Sequence, residues 1–274
     1  MEKQYWQEII QNDYKIPDGY TIDELTNELF TYLGSTDSEL RDDIGYSVYA
    51  NWLKMGMYSQ NKILEHTWQL IKNLDNGIGE RGTNSVFIRS FSVLFLAEII
   101  HNDNKAPRFN KKTIDALVGK SLWYLENEED PRGYIQKKGW AHALAHTADL
   151  LFVLAKNEHT DRTQHLQMLN GITGKLKSIS DWIFVHGEED RLSAAAIAIF
   201  QRSLLQTDTI LEWLSSIKDN WMGAWMDEKR TVAFFNLRNF TRSLYLHLTT
   251  IEALEHKKEL EKMVFETVQG LRPW

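Results

Sequence analysis

Two histidines four residues apart, His142 and His146, stand with Asp149 in the run Gly139-Trp140-Ala-His142-Ala-Leu-Ala-His146-Thr-Ala-Asp149. On a helix, residues three and four apart share a face, so these three form one polar stripe among Ala, Leu and Phe. In the first turn of such a helix the positive dipole end keeps His142 neutral, the form that ligates a metal or accepts a proton. A histidine pair at this spacing can grip one divalent metal, as in the HExxH metalloproteases, but Ala143 stands where their glutamate base would be. Asp149 lies about 10 Å along the helix from His142, beyond one coordination sphere, and is placed instead to orient His146. A third ligand to a metal on His142 and His146 would come from another helix, with Asp42, Asp43, Glu188 and Asp190 as candidates. A metal-free binding site and a hydrogen-bonded polar seam between helices use the same residues.

Further charge sits at matching places: Arg41-Asp42-Asp43, Arg89-Ser90, Asp190-Arg191, and Arg238 with Arg242-Ser243. One reading is a ladder of Asp–Arg pairs joining neighbouring helices, since desolvated charges are tolerated when paired. The other is a pocket whose arginines grip a carboxylate or phosphate by bidentate contact, with His142 or Asp43 available for proton transfer. The ligand-binding set expected on that reading is His142, His146, Asp149, Trp140, Arg89, Arg242, Asp43 and Asp190, with Trp140 as an apolar wall. Gly77-Ile-Gly79-Glu-Arg-Gly82 has the G-x-G-x-x-G spacing, yet Trp68–Leu74 before it reads as helix rather than strand, so a turn is expected, with a local anion nest as a subsidiary idea. The ten tryptophans, Trp221 and Trp225 among them, read mainly as core fillers.

These residues need elements to position them. Pro17, Pro107, Pro131 and Pro273 all fall between apolar-periodic segments, which favours an all-α chain. Thr21 with Glu24 reads as a capping box opening a helix that runs to Gly34; Gly34 and Gly56 are expected as left-handed residues after helix ends. No strand is expected. Five stretches pass from polar residues into small and aliphatic ones: Ser38–Leu53, Ser85–Ile100, Gly139–Lys156, Glu188–Leu205 and Asn236–Leu254, their starts 47, 54, 49 and 48 residues apart. Second amphipathic stretches lie near Asn61–Leu74, Lys111–Leu125, Arg162–Phe184, Thr209–Trp221 and Lys257–Leu271. A helix pair recurring at this spacing predicts an α-α superhelix of the armadillo or HEAT sort with about five pairs. The internal echo is short: Phe87-Ile-Arg89-Ser90, Phe200-Gln-Arg202-Ser203 and Phe240-Thr-Arg242-Ser243. No linker divides the chain, so one domain over 1–274 is expected, with caps at 1–37 and 255–274 around a repeat core at 38–254.

Composition narrows the function classes. Thirty-one Lys and Arg against 38 Asp and Glu give a net charge of −7, which disfavours wholesale nucleic-acid binding. The absence of cysteine removes disulfides, thiolate nucleophiles, cysteine-based zinc fingers and iron–sulfur clusters. The amino terminus shows no signal-peptide run, and the longest uncharged apolar stretch, Leu192–Phe200, is too short to cross a bilayer, so a cytoplasmic protein without membrane attachment is expected.

Leu40-Arg-Asp42-Asp43 leading to Trp52, Phe87-Ile-Arg89-Ser90-Phe91-Ser92, Arg132-Gly133 with the Gly139–Leu151 run, Glu189-Asp190-Arg191-Leu192 and Arg242-Ser243-Leu244-Tyr245 together resemble the domain-of-unknown-function family 2785, found mainly in bacteria. The resemblance spans roughly residues 38 to 250 and is most specific at Gly-Trp-Ala-His. It implies a helical protein and carries no established activity or cofactor. The expected function is binding of a small anionic ligand or peptide group on a concave face. The alternatives are a hydrolase with a divalent metal on His142 and His146, and a purely structural interaction scaffold.

Overall fold

A computed structural model describes residues 1–218, 221 and 226–271. The twelve α-helices among them are α1 (Lys3–Gln11), α2 (Ile22–Tyr32), α3 (Ser47–Lys54), α4 (Gln60–Asn73), α5 (Ser85–Lys105), α6 (Lys111–Asn127), α7 (Ala143–Ala155), α8 (Arg162–Ser178), α9 (Glu188–Gln201), α10 (Thr207–Lys218), α11 (Glu228–Thr250) and α12 (Lys257–Gly270). Each of the ten stretches read from the sequence overlaps one of them, but Ser38–Leu53 takes in Glu39–Tyr46 ahead of α3, Gly139–Lys156 starts four residues before α7, Arg162–Phe184 runs six residues past α8, and α11 starts eight residues earlier than expected. Trp225 lies outside the described residues.

Local chemistry explains most boundaries. Thr21 Oγ1 accepts from the Glu24 N–H while the Glu24 carboxylate accepts from the Thr21 N–H, closing the expected capping box of α2. Asp161 and Gln164 do the same for α8. Gly56 takes the left-handed conformation after α3 with φ +70°, whereas Gly34 does not adopt a positive φ and is a correction to the expectation. Two further elements were not expected. Glu39–Tyr46 forms a π-helix that runs directly into α3. Ahead of α7, β1 (Tyr134–Ile135) and β2 (Gly139–Trp140) pair antiparallel, Tyr134 opposite Trp140 and Ile135 opposite Gly139.

The chain divides into two compact units, the first comprising Met1–Phe109 with Asn127–Leu150, the second Asn110–Glu126 with Leu151–Trp274. In the first, α4 packs on α5, while the π-helix meets α1, α2, α3 and α5. Its core is rich in rings: Tyr49 stacks on Phe95 at 4.8 Å, and Phe30 and His66 close around them. In the second, α11 packs on α8, α9 and α12, and α10 packs on α8 and α12. Trp213 fills a gap there and donates its indole N–H to the Leu169 carbonyl at 3.1 Å.

One helix, α5, is by length and composition long and apolar enough over Ser85–Asp103 to cross a bilayer, at a mean hydropathy of 1.3, although Arg89 and Glu98 keep it from being an uncharged stretch. Two thirds of that window is buried inside the protein, so its apolar surface is already covered by the core of the first unit.

Candidate functional site

The histidine region belongs to the first unit and is built on the short hairpin. His142 is not in the first turn of α7, as expected, but immediately ahead of it, with φ +48°. A non-glycine residue in the left-handed region is held there by its surroundings. The ties are visible: the His142 N–H donates to the Arg132 carbonyl at 3.1 Å, the Ala141 N–H donates to Gly133 at 2.8 Å, and the His142 carbonyl accepts the His146 N–H at 2.9 Å. The expected i, i+4 neighbourhood is present, with ring centroids of His142 and His146 5.8 Å apart. Trp140 stacks on His142 at 4.2 Å and 20° between planes, and the indole is 39% exposed while both imidazoles are buried. Asp149, one turn beyond His146, is half-buried.

The tautomer of His146 follows from its partner. Nδ1 lies 3.1 Å from the Ser90 carbonyl, which only accepts, so Nδ1 carries a proton and donates it there. Phe91 packs edge-on against the same ring at 5.1 Å. Phe91 also connects to Arg41, whose guanidinium lies over Phe87 and Phe91 at 4.2 and 4.6 Å.

Arg41 is fully buried. It donates to the Asp42 carboxylate from Nε (2.8 Å) and Nη2 (3.2 Å), to the Ser35 carbonyl (2.7 Å) and to the Lys138 carbonyl (2.9 Å). The last bond ties the π-helix to the hairpin. Gly139 permits the approach: its φ is +77°, and a Cβ there would stand 2.7 Å from Ser38 Cβ and 3.0 Å from Arg41 Nη2. Burial pushes the Asp42 carboxyl up to about 6 against the pull of Arg41, and desolvation lowers Arg41. Asp43, by contrast, is exposed.

Arg89 corrects the expectation of a ligand-gripping arginine. Its side chain is fully buried; Nε and Nη2 make a bidentate pair with Glu128 at 2.6 and 2.8 Å, and Nη1 donates to the carbonyls of Asn76 and Gly77 and to Ser85 Oγ. A guanidinium so engaged has no approach left for an anion. The glycine loop is likewise filled from within, since the Gly82 N–H donates to Asp130 at 3.0 Å and Arg132 clamps Asp130 while donating to the Thr83 carbonyl. Gly77, Gly79 and Gly82 all have positive φ, as a turn requires, and its anion is a side chain of the protein. Glu128, Asp130 and Arg132 were legible only as charged loop residues.

The two candidates in the second unit are both exposed. Asp190, on α9, accepts from Ser243 Oγ at 2.7 Å and lies 3.0 Å from His247 Nε2, both on α11. Arg242 is on α11. Burial raises the Glu188 carboxyl at the start of α9. Among the described residues, no three His, Asp or Glu side chains stand close enough to hold a metal ion, so the third donor sought among Asp42, Asp43, Glu188 and Asp190 does not join the histidine pair.

The arrangement is that of an all-helical protein in which buried arginine–carboxylate pairs seal the loops around α5 and a stacked Trp–His step stands at the entry to α7. Residues 74–246 match the family described as "Protein of unknown function (DUF2785)", and the chain belongs to that family. No curated protein and no solved structure matches the chain.

Proposed function

We propose that the protein binds a small anionic molecule or the terminal carboxylate of a peptide at the Trp140–His142–His146 step. The observation that carries this reading is the pairing of a left-handed His142 with a part-exposed indole stacked on it. A buried aromatic needs no such backbone strain to fill space, and strain of this kind collects at binding and catalytic sites. The start of α7 and the indole supply a positive dipole end and an apolar face. Arg89 is left out of the contact set, because its donors are engaged; its part is to hold the loop beneath. Asp149 and Asp43 remain as polar neighbours in the same unit, and Asp190 and Arg242 belong to a separate cluster on α9 and α11.

The stacking of the five helix pairs into an α-α superhelix over one continuous domain, with a cytoplasmic location, is part of the same reading. It is supported by the 47 to 54 residue spacing of the pairs and by the absence of cysteine. The metal-dependent hydrolase is not carried forward, since among the described residues no third donor joins the pair.

Isothermal titration against a panel of carboxylate and phosphate metabolites tests the site. Trp140→Ala and His142→Ala should each weaken a measured affinity at least tenfold with the circular-dichroism spectrum retained. A ligand whose affinity is indifferent to both substitutions removes this site from consideration.

A further inference from the structure

A second feature of the first unit lies among residues that the histidine step does not use. Between the end of α3, the start of α4 and the last turn of α5 is a cavity of about 370 Å³, within the range of small-molecule sites. Its apolar wall is Leu53, Ile63, Ile99 and Phe109, all buried in the core. Its rim carries Lys54, Lys105 and Arg108, all exposed, and none of the three makes an ion pair among the described residues. The three converge on one apolar hollow, which sets cationic groups beside a hydrocarbon wall at a single opening. Lys54 and Lys105 close α3 and α5, where a cation complements the helix dipole, but Arg108 belongs to no helix and has no such reason to be there.

The wall is also preformed. Asp103, the acidic side chain of the lining, directs Oδ1 to the N–H groups of Arg108 and Phe109 at 2.7 and 2.9 Å, and Gln60 donates to the Arg108 carbonyl at 2.8 Å. The loop that supplies Arg108 is thereby pinned on both sides, which lowers the ordering cost of binding. Asp103 is buried and turned to backbone donors, so the charge presented at the rim is positive.

From the apolar hollow and the three unmatched cations, we infer that this cavity binds a small amphipathic carboxylate, its short hydrocarbon body against Ile63, Ile99 and Phe109 and its head group among Lys54, Lys105 and Arg108. The experiment is calorimetric titration of the full chain with octanoate, hexanoate, acetate and 1-octanol. Octanoate should bind, hexanoate about tenfold more weakly as two methylenes leave apolar contact, and acetate not measurably. Octanol should bind at least tenfold more weakly than octanoate, and added salt should weaken octanoate alone. Arg108→Glu on the exposed loop should lower octanoate affinity at least tenfold, and Ala106→Trp, at another exposed lining position, should block it. Trp140→Ala should leave octanoate binding unchanged, which separates this site from the histidine step. Equal affinity for octanol and octanoate, unchanged octanoate binding in Arg108→Glu and Ala106→Trp, or no octanoate binding to the folded protein would each overturn the inference.

Discussion

Arg89 and Arg242 sit in nearly the same local sequence, Phe-Ile-Arg-Ser in one helix and Phe-Thr-Arg-Ser in the other, and meet opposite fates. In both, the leading Phe is fully buried and the trailing Ser is buried. Yet Arg89 is sealed in a bidentate pair with Glu128, while Arg242 is exposed. The helices differ in how much of them is covered. Thirteen of the 21 residues of α5 are buried against nine of the 23 in α11, so an arginine on α5 meets protein where one on α11 meets water. A charge in the covered position is tolerated only because a carboxylate comes to it. The third copy of the echo shows another outcome: Arg202 donates to the Asn157 carbonyl at 2.6 Å and serves as a backbone tie. A recurring tetrapeptide therefore marks a helix register, and its neighbours decide what its arginine does.

The strongest test of this contrast is removal of each guanidinium. Arg89→Ala leaves Glu128 charged and buried, and unfolding in urea should show a loss of about 3–5 kcal/mol. Replacing both partners, Arg89→Met with Glu128→Leu, should recover most of that loss, because two apolar groups leave no orphaned charge. A mild Arg89→Ala would break the comparison.

A second measurement asks whether the two units share a cost of buried polarity. His66 in the first and His165 in the second are both held down to about 4 by burial. Each imidazole is neutral in the folded state and takes up a proton on unfolding below its ordinary 6.5. The stability each contributes is therefore present above pH 6.5 and lost as pH falls from 6.5 towards 4, by about 2–3 kcal/mol apiece. Asp42 runs the other way: its raised carboxyl binds a proton more readily when folded, so its share of stability falls as pH rises from about 4 to about 6. Two histidines outweigh one aspartate, and the midpoint of thermal unfolding should drop on acidification through this window. His66→Gln and His165→Gln should each flatten the drop, and Asp42→Asn should steepen it.

A smaller effect is expected at the hairpin. Gly139→Ala places a Cβ against Ser38 in a backbone region that favours glycine, and should cost about 1–3 kcal/mol, seen as a lower melting midpoint. Arg242→Ala should move stability by less than about 0.5 kcal/mol, the ordinary size of a surface change. A larger loss there would mean that α11 uses its arginine as α5 does.

The sequence made the helices readable because their signals are local. Thr21 with Glu24, the prolines between segments and the switch from polar to aliphatic residues all act within a few positions, and each expected helix is present. The departures have physical causes of longer reach. A strand of two residues such as Gly139–Trp140 carries no alternation to detect, and its signature is only the positive φ at Lys137 and Gly139. The π-helix shifts hydrogen bonds by one residue without asking for different side chains. Nothing near Arg89 points to a carboxylate thirty-nine positions on, so its availability to a ligand could not be judged from its neighbours. The adjacency of His142 and His146 was readable from their i, i+4 spacing, whereas the stack of Trp140 on His142 depends on the hairpin and the left-handed turn at His142. The amphipathic cavity was not, since Lys54, Ile99 and Arg108 converge only through the packing of α3, α4 and α5.

The first unit is completed by Asn127–Leu150, after the chain has already contributed Asn110–Glu126 to the second. On a ribosome, translation runs past α5 and through the whole of α6 before Glu128 emerges, and Arg89 waits all that time without its carboxylate. A polypeptide released before Leu150 lacks the histidine helix and the counter-ion loop or its anchor, so the nascent chain should depend on holding chaperones longer than its simple helical composition would suggest.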